Sequence, residues 1–186
     1  MTSLIYFFIF FLANLIATQR SRGREHSSND YINLSVNRTI YLKNSVTIVE
    51  SYLLIKSLKV DPLYSYRFAL LKNNSKSLIN ISAKLIILQN DNEEIKLKMS
   101  KQSYVSDENF DFYEINFKNE PINYEEERYL LIVEDYYGRL DMLPKKIALR
   151  DNQYAVFKDT INQVSFYQTN EQIIDIMLKK DNTEVV

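Results

Sequence analysis

Tyr64-Ser65-Tyr66-Arg67-Phe68-Ala69-Leu70 sets large apolar side chains two apart, with Ser65, Arg67 and Ala69 between them. An extended chain turns alternate residues to opposite faces, whereas a helix of about 3.6 residues per turn would scatter this set. The stretch therefore reads as a half-buried strand, with one face in the core. Ile95, Leu97 and Met99 repeat the pattern around Lys96 and Lys98. Val36, Thr39, Ile40 and Leu42 open another run, followed by Val46, Ile48 and Tyr52 to Val60. Further strands are expected over 81–88, 110–117, 129–136, 154–157 and 174–178. Asn, Asp, Ser and Lys cluster between them at 72–76, 89–94, 106–109 and 118–123, which reads as polar turns. Residues 124–133 and 170–180 also hold helix-favouring Glu and Leu, yet their apolar pattern keeps them on the strand side. Many short strands separated by polar turns predict a mainly β, antiparallel sandwich-like domain.

Composition narrows the chemistry. The 186 residues include two Gly, three Pro, one His and no Cys or Trp. That length suits one domain, at ~100–200 residues each. Two glycines cannot build a dinucleotide fingerprint or a phosphate-cradling loop. Without Cys there is no thiolate nucleophile, disulfide or Cys/His zinc site. His26, in a polar stretch near the N-terminus, is a poor candidate for a catalytic triad. Lys+Arg number 23 against 24 Asp+Glu, a net charge of −1, so no basic nucleic-acid footprint is present.

Residues 4–17 are apolar except for Asn14. Fourteen residues at ~1.5 Å each reach ~21 Å, short of a ~30 Å hydrocarbon core, so a secretory signal helix cleaved after Ala17 is expected. Arg20, Arg22 and Arg24 follow the apolar run, and an uncleaved anchor would hold the remainder in the cytosol. Residues 18–30 read as a flexible lead-in, and 31–186 as one β-rich lumenal domain.

Four N-glycosylation acceptors follow: Asn33-Leu34-Ser35, Asn37-Arg38-Thr39, Asn73-Asn74-Ser75 and Asn80-Ile81-Ser82. A chain rich in Asn and Ser produces such triplets by chance, and Asn33 and Asn37 stand too close for both to be modified efficiently. Use of one or two is expected. Acids group at Asp91, Glu93 and Glu94, at Glu125 to Glu127, and at Glu134 and Asp135. Glycoside chemistry or Ca²⁺ binding would need carboxylates that converge in space. Neighbours in a strand diverge, so these runs read as solvated turns and edges. Alternating aromatics such as Tyr64, Tyr66 and Phe68 could stack a sugar, but fit the inward face of a sheet better. No catalytic, cofactor-binding or metal-ligating set emerges.

Three stretches resemble the ribophorin I family. Val36-Asn37-Arg38-Thr39-Ile40-Tyr41-Leu42, with Val46, Ile48 and 66–70, is similar to its opening strands. Leu131-Ile132-Val133-Glu134-Asp135-Tyr136-Tyr137, through Leu140 to Pro144, is similar to its central segment. Residues 151–157 and Ser165-Phe166-Tyr167-Gln168-Thr169-Asn170-Glu171-Gln172 are similar to its closing strand and signature, with Phe166 and Gln168 where the family has prolines. Order and spacing agree along 36–178. The resemblance implies a non-catalytic accessory subunit of the oligosaccharyltransferase of the endoplasmic reticulum, on the lumenal side of the membrane. That complex moves an oligosaccharide from dolichyl diphosphate to Asn of Asn-x-Ser/Thr. The other subunits, the catalytic one included, and nascent polypeptide are the partners implied, and no cofactor is. The family continues into a second lumenal domain, a membrane span and a cytosolic tail, so a truncated chain is expected. The alternatives are a secreted β-sandwich binding module unrelated to the transferase, and a carbohydrate-active enzyme using two of the carboxylates.

Overall fold

The computed structural model describes residues 29–43, 46–87, 93–103, 107–117, 119–143, 154–157 and 164–178. The signal segment, the lead-in up to residue 28, His26 and Asp91 lie outside the described residues. Along the chain come β1 (Tyr31–Leu42), β2 (Val46–Ser57), β3 (Ser65–Leu71), one helical turn α1 (Lys72–Ser75), β4 (Leu78–Ile87) and β5 (Glu93–Lys101). They are followed by β6 (Phe110–Asn116), β7 (Glu127–Tyr137), β8 (Leu140–Leu143), β9 (Tyr154–Phe157), β10 (Val164–Ser165), β11 (Gln168–Thr169) and β12 (Gln172–Leu178).

Ten strands form one curled sheet in the order β10-β3-β6-β5-β4-β7-β2-β1-β11, with β12 also on β1, and β8 pairs β9 separately. The protein is thus mainly β, as its alternation predicts. β2 sits between β1 and β7, and Val49, Leu53 and Ile55, two or four apart, are fully buried. β7 is flanked in turn by β2 and β4, so ladders on both edges hold the Glu- and Leu-rich 127–137 extended. Propensity yields there to tertiary hydrogen bonding.

β5 changes partner midway. Glu93–Leu97 pair with β4, then Lys98–Lys101 pair with β6. That switch carries the chain around a sandwich corner and lays β3 and β6 over the β4-β7-β2-β1 layer. The larger of two core clusters fills the space between the layers, where Val36, Leu53, Leu85 and Leu130 face Tyr66, Phe68 and Ile115, and the smaller gathers Ile40, Leu42, Val49 and Tyr136. Each such side chain contributes roughly 1.5–3 kcal/mol by leaving water. Leu63, Phe117 and Ile122 plug one end, where Leu63 and Ile122 exchange both backbone bonds at 2.9 Å.

Three features depart from the sequence reading. Tyr64 precedes β3 and is exposed, so the alternating aromatic face starts at Tyr66. Residues 72–75 form a helical turn, closed by Ser75 Oγ donating to the Lys72 carbonyl at 3.0 Å. The sheet is not wholly antiparallel, because β1 takes both β11 and β12 as parallel partners. The chain reaches that edge already running in the direction of β1.

Candidate functional site

β1 is buried at Tyr31 and Asn33, then at Val36, Arg38, Ile40 and Leu42. The change from odd to even positions has a physical cause. Pairing with β2 shifts between Asn33 and Ser35, opposite Ile55 and Leu54, and the extra residue turns the strand over. Asn33 consequently faces inward and Asn37 outward, although they stand four apart.

Inside, the Asn33 carboxamide is a hub. Its Nδ2 donates to Ser165 Oγ at 2.9 Å and Thr169 Oγ1 at 3.0 Å, and its Oδ1 accepts from the Tyr66 hydroxyl at 3.0 Å. Its backbone carbonyl accepts from the Asn170 N–H at 2.9 Å. Ser165 Oγ also accepts from the Tyr167 N–H at 3.1 Å, and Tyr167 Oη from the Arg67 N–H at 3.3 Å. The rings of Tyr31, Tyr66 and Tyr167 surround the hub with centroids 4.9–5.7 Å apart. Burial pushes the Tyr66 phenol up to about 12, against the pull of its Ser165 and Asn33 hydrogen bonds. Burial raises Tyr31 and Tyr167 as well, each reinforced by a neighbouring tyrosine.

This cluster ties together segments far apart in sequence. β10 pairs with β3 at one end of the sheet and β11 with β1 at the other, and only Phe166 and Tyr167 separate the two. Residues 164–169 therefore clasp the two ends of the curled sheet. Ser165, Tyr167 and Thr169 turn inward, while Phe166 and Gln168 are exposed. Ser165 Oγ faces an amide and a phenol, neither of them a base at neutral pH, so the clasp fastens the sheet and does not activate a nucleophile.

The other acceptors lie apart. Asn37 is exposed in the middle of β1, Asn73 on α1, and Asn80 on β4, where its Nδ2 donates to Asp135 Oδ2 at 3.1 Å. The acidic groups do not converge. Glu94 pairs with Lys84 at 2.6 Å, Glu126 with Arg128, and Glu125 is exposed in a left-handed turn at φ 58°. Glu134, expected in solvent, is buried and accepts from the Tyr136 hydroxyl, because alternation along β7 sends it inward and Asp135 outward. The Arg139 guanidinium lies 3.5 Å over the Tyr136 ring. Among the described residues no group of three or more His, Asp or Glu could hold a metal. A shallow cavity of about 290 Å³ opens where β5 changes partner, between Lys96, Lys98, Asn119 and Glu120.

The inward role of Asn33 is not what its Asn-x-Ser triplet predicts. The signal that carries it is the break in alternation between Asn33 and Val36, since period two fails only where a strand gains a residue.

No helix of the described residues is long and apolar enough to cross a membrane. A comparison with curated proteins finds no match. Among solved structures, native yeast LTA4 hydrolase is similar at 12% identity and a TM-score of 0.40, over 85% of this chain and 26% of that one. The chain thus spans about a quarter of that hydrolase. The ribophorin I family model matches residues 31–186, a range that takes in every strand from β1 to β12. Tyr66 of the first motif stretch and Ser165 of the third, 99 residues apart, meet in the clasp with their hydroxyls 3.4 Å from each other. The chain belongs to the ribophorin I family.

Proposed function

We propose that the chain acts as a non-catalytic accessory subunit of the oligosaccharyltransferase, on the lumenal side of the endoplasmic reticulum membrane. It would stand beside the catalytic subunit while that neighbour transfers oligosaccharide to Asn-x-Ser/Thr of nascent proteins. The observation that carries this is the family match over residues 31–186. A sheet clasped at both ends over a packed core supports such a role, because a rigid body of this kind contributes through the faces and loops it presents. The same reading makes residues 1–17 a cleaved signal and 31–186 a lumenal domain.

Affinity purification of the tagged full chain from detergent-solubilised microsomes tests it. Co-recovery of the catalytic subunit, with transfer of dolichyl-linked oligosaccharide to an acceptor peptide, is the expected outcome. Recovery of the chain from culture medium, free of that subunit, would overturn it in favour of a secreted binding module. Protease protection in sealed microsomes and N-terminal sequencing beginning at Thr18 check the lumenal side and the cleavage.

A further inference from the structure

On the outer face of β1, Asn37 is exposed between two exposed apolar side chains. Its register partner on β2 is Tyr52 and its register partner on β12 is Ile173. Tyr52 is 39% and Ile173 47% exposed. Directly paired residues of antiparallel strands place their Cβ atoms roughly 4.5–5.5 Å apart, so Tyr52 stands immediately beside Asn37, with Ile173 on its other side. Further along the same row, Leu131 pairs with Tyr52 and is buried, so the ring has an apolar footing and an open outer surface. Thr39, the hydroxyl residue of the triplet, follows two residues on, facing the same way as Asn37.

We infer that Asn37 carries an N-linked glycan whose first N-acetylglucosamine rests on Tyr52 and Ile173. The C–H face of that sugar covers an apolar pair that otherwise stands in water, and the aromatic ring supplies a stacking surface. Asn33 is excluded by the same fold. Its Nδ2 would have to exchange the Ser165 and Thr169 bonds for a bulky sugar inside the clasp. The bulge thereby leaves only the second of two acceptors four residues apart able to carry a glycan in the folded protein. The inference rests on the lumenal reading, since only a chain entering that compartment meets the transferase.

The full chain is expressed through a eukaryotic secretory pathway, and occupancy at each acceptor is mapped by glycopeptide mass spectrometry. Asn37 is expected to be occupied. The coupling is read from thermal midpoints of the parent, Thr39→Ala, Tyr52→Ala and the double variant. Loss of the glycan should lower the midpoint when Tyr52 or Tyr52→Phe is present, and lower it clearly less in the Tyr52→Ala background, where only Ile173 remains. The same four proteins made in bacteria, without glycan, should show no coupling. If Tyr52→Ala fails to fold, Ile173→Ser takes its place in the cycle. A bare Asn37 beside an occupied Asn73 or Asn80 overturns the inference and leaves the lumenal reading standing. No glycan at any acceptor overturns both, and equal glycan dependence in all backgrounds removes the seat on Tyr52.

Discussion

Asn33 shows how one side chain can be misread from its neighbours. Its triplet marks a surface acceptor, yet its amide spends both N–H donors and one lone pair on Ser165, Thr169 and Tyr66. Asn33→Asp keeps the shape, loses both donors and buries a charge. It should cost about 3 kcal/mol or more in urea unfolding at neutral pH. The sign with pH follows from burial. The folded-state carboxyl is raised, so the variant is least impaired below pH ~4 and loses stability as pH rises through that raised value. An equal deficit at all pH values would show that the carboxyl reaches solvent. Ser35→Ala, which removes the triplet and keeps the amide, should change stability by less than ~0.5 kcal/mol. Gly138 is a different case, at φ 69° between β7 and β8, with open space where a β-carbon would stand. Gly138→Ala meets only the backbone penalty, and a loss of about 1 kcal/mol in the same assay is expected.

At the scale of elements, alternation made most strands legible. Ile95, Leu97 and Met99 pack on the core while Lys96 and Lys98 are exposed, as the pattern in β5 predicts. Where β5 leaves β4 for β6 was not legible, because alternation specifies a face and says nothing of the neighbour. The two-residue strands β10 and β11 are too short for any period to register. Their role comes from the clasp, whose alternation leaves Phe166 and Gln168 exposed, away from Asn33 and Tyr66. Tyr167 is the aromatic that locks the segment, edge-on to Tyr31 at 5.1 Å. Tyr167→Ala should cost roughly 3–5 kcal/mol if the site cannot collapse. Hydrogen exchange should accelerate across residues 164–169 and leave β2 and β7 protected, and uniform acceleration would argue against a separable clasp.

For the whole molecule, closing the sheet through one hexapeptide leaves stability dependent on a few buried phenols. Tyr31, Tyr66 and Tyr167 must stay neutral in the folded state, whereas in the unfolded chain they ionise near pH ~10. A raised folded-state value means their contribution is fully present below pH ~10 and is lost as pH rises from there through about 12, the value for Tyr66. Guanidinium midpoints should therefore fall above pH ~10, with part of the tyrosinate absorbance appearing only on unfolding. Tyr66→Phe should soften that dependence. Amino-acid order alone determined the β class and the strands with one apolar face, because these depend on residue type and short-range period. The bulge that sends Asn33 inward and Asn37 outward, the burial of Glu134 and the joining of β1 to β3 were decided only in three dimensions. Each depends on which strand lies beside which, and hydrogen bonding between distant segments settles that.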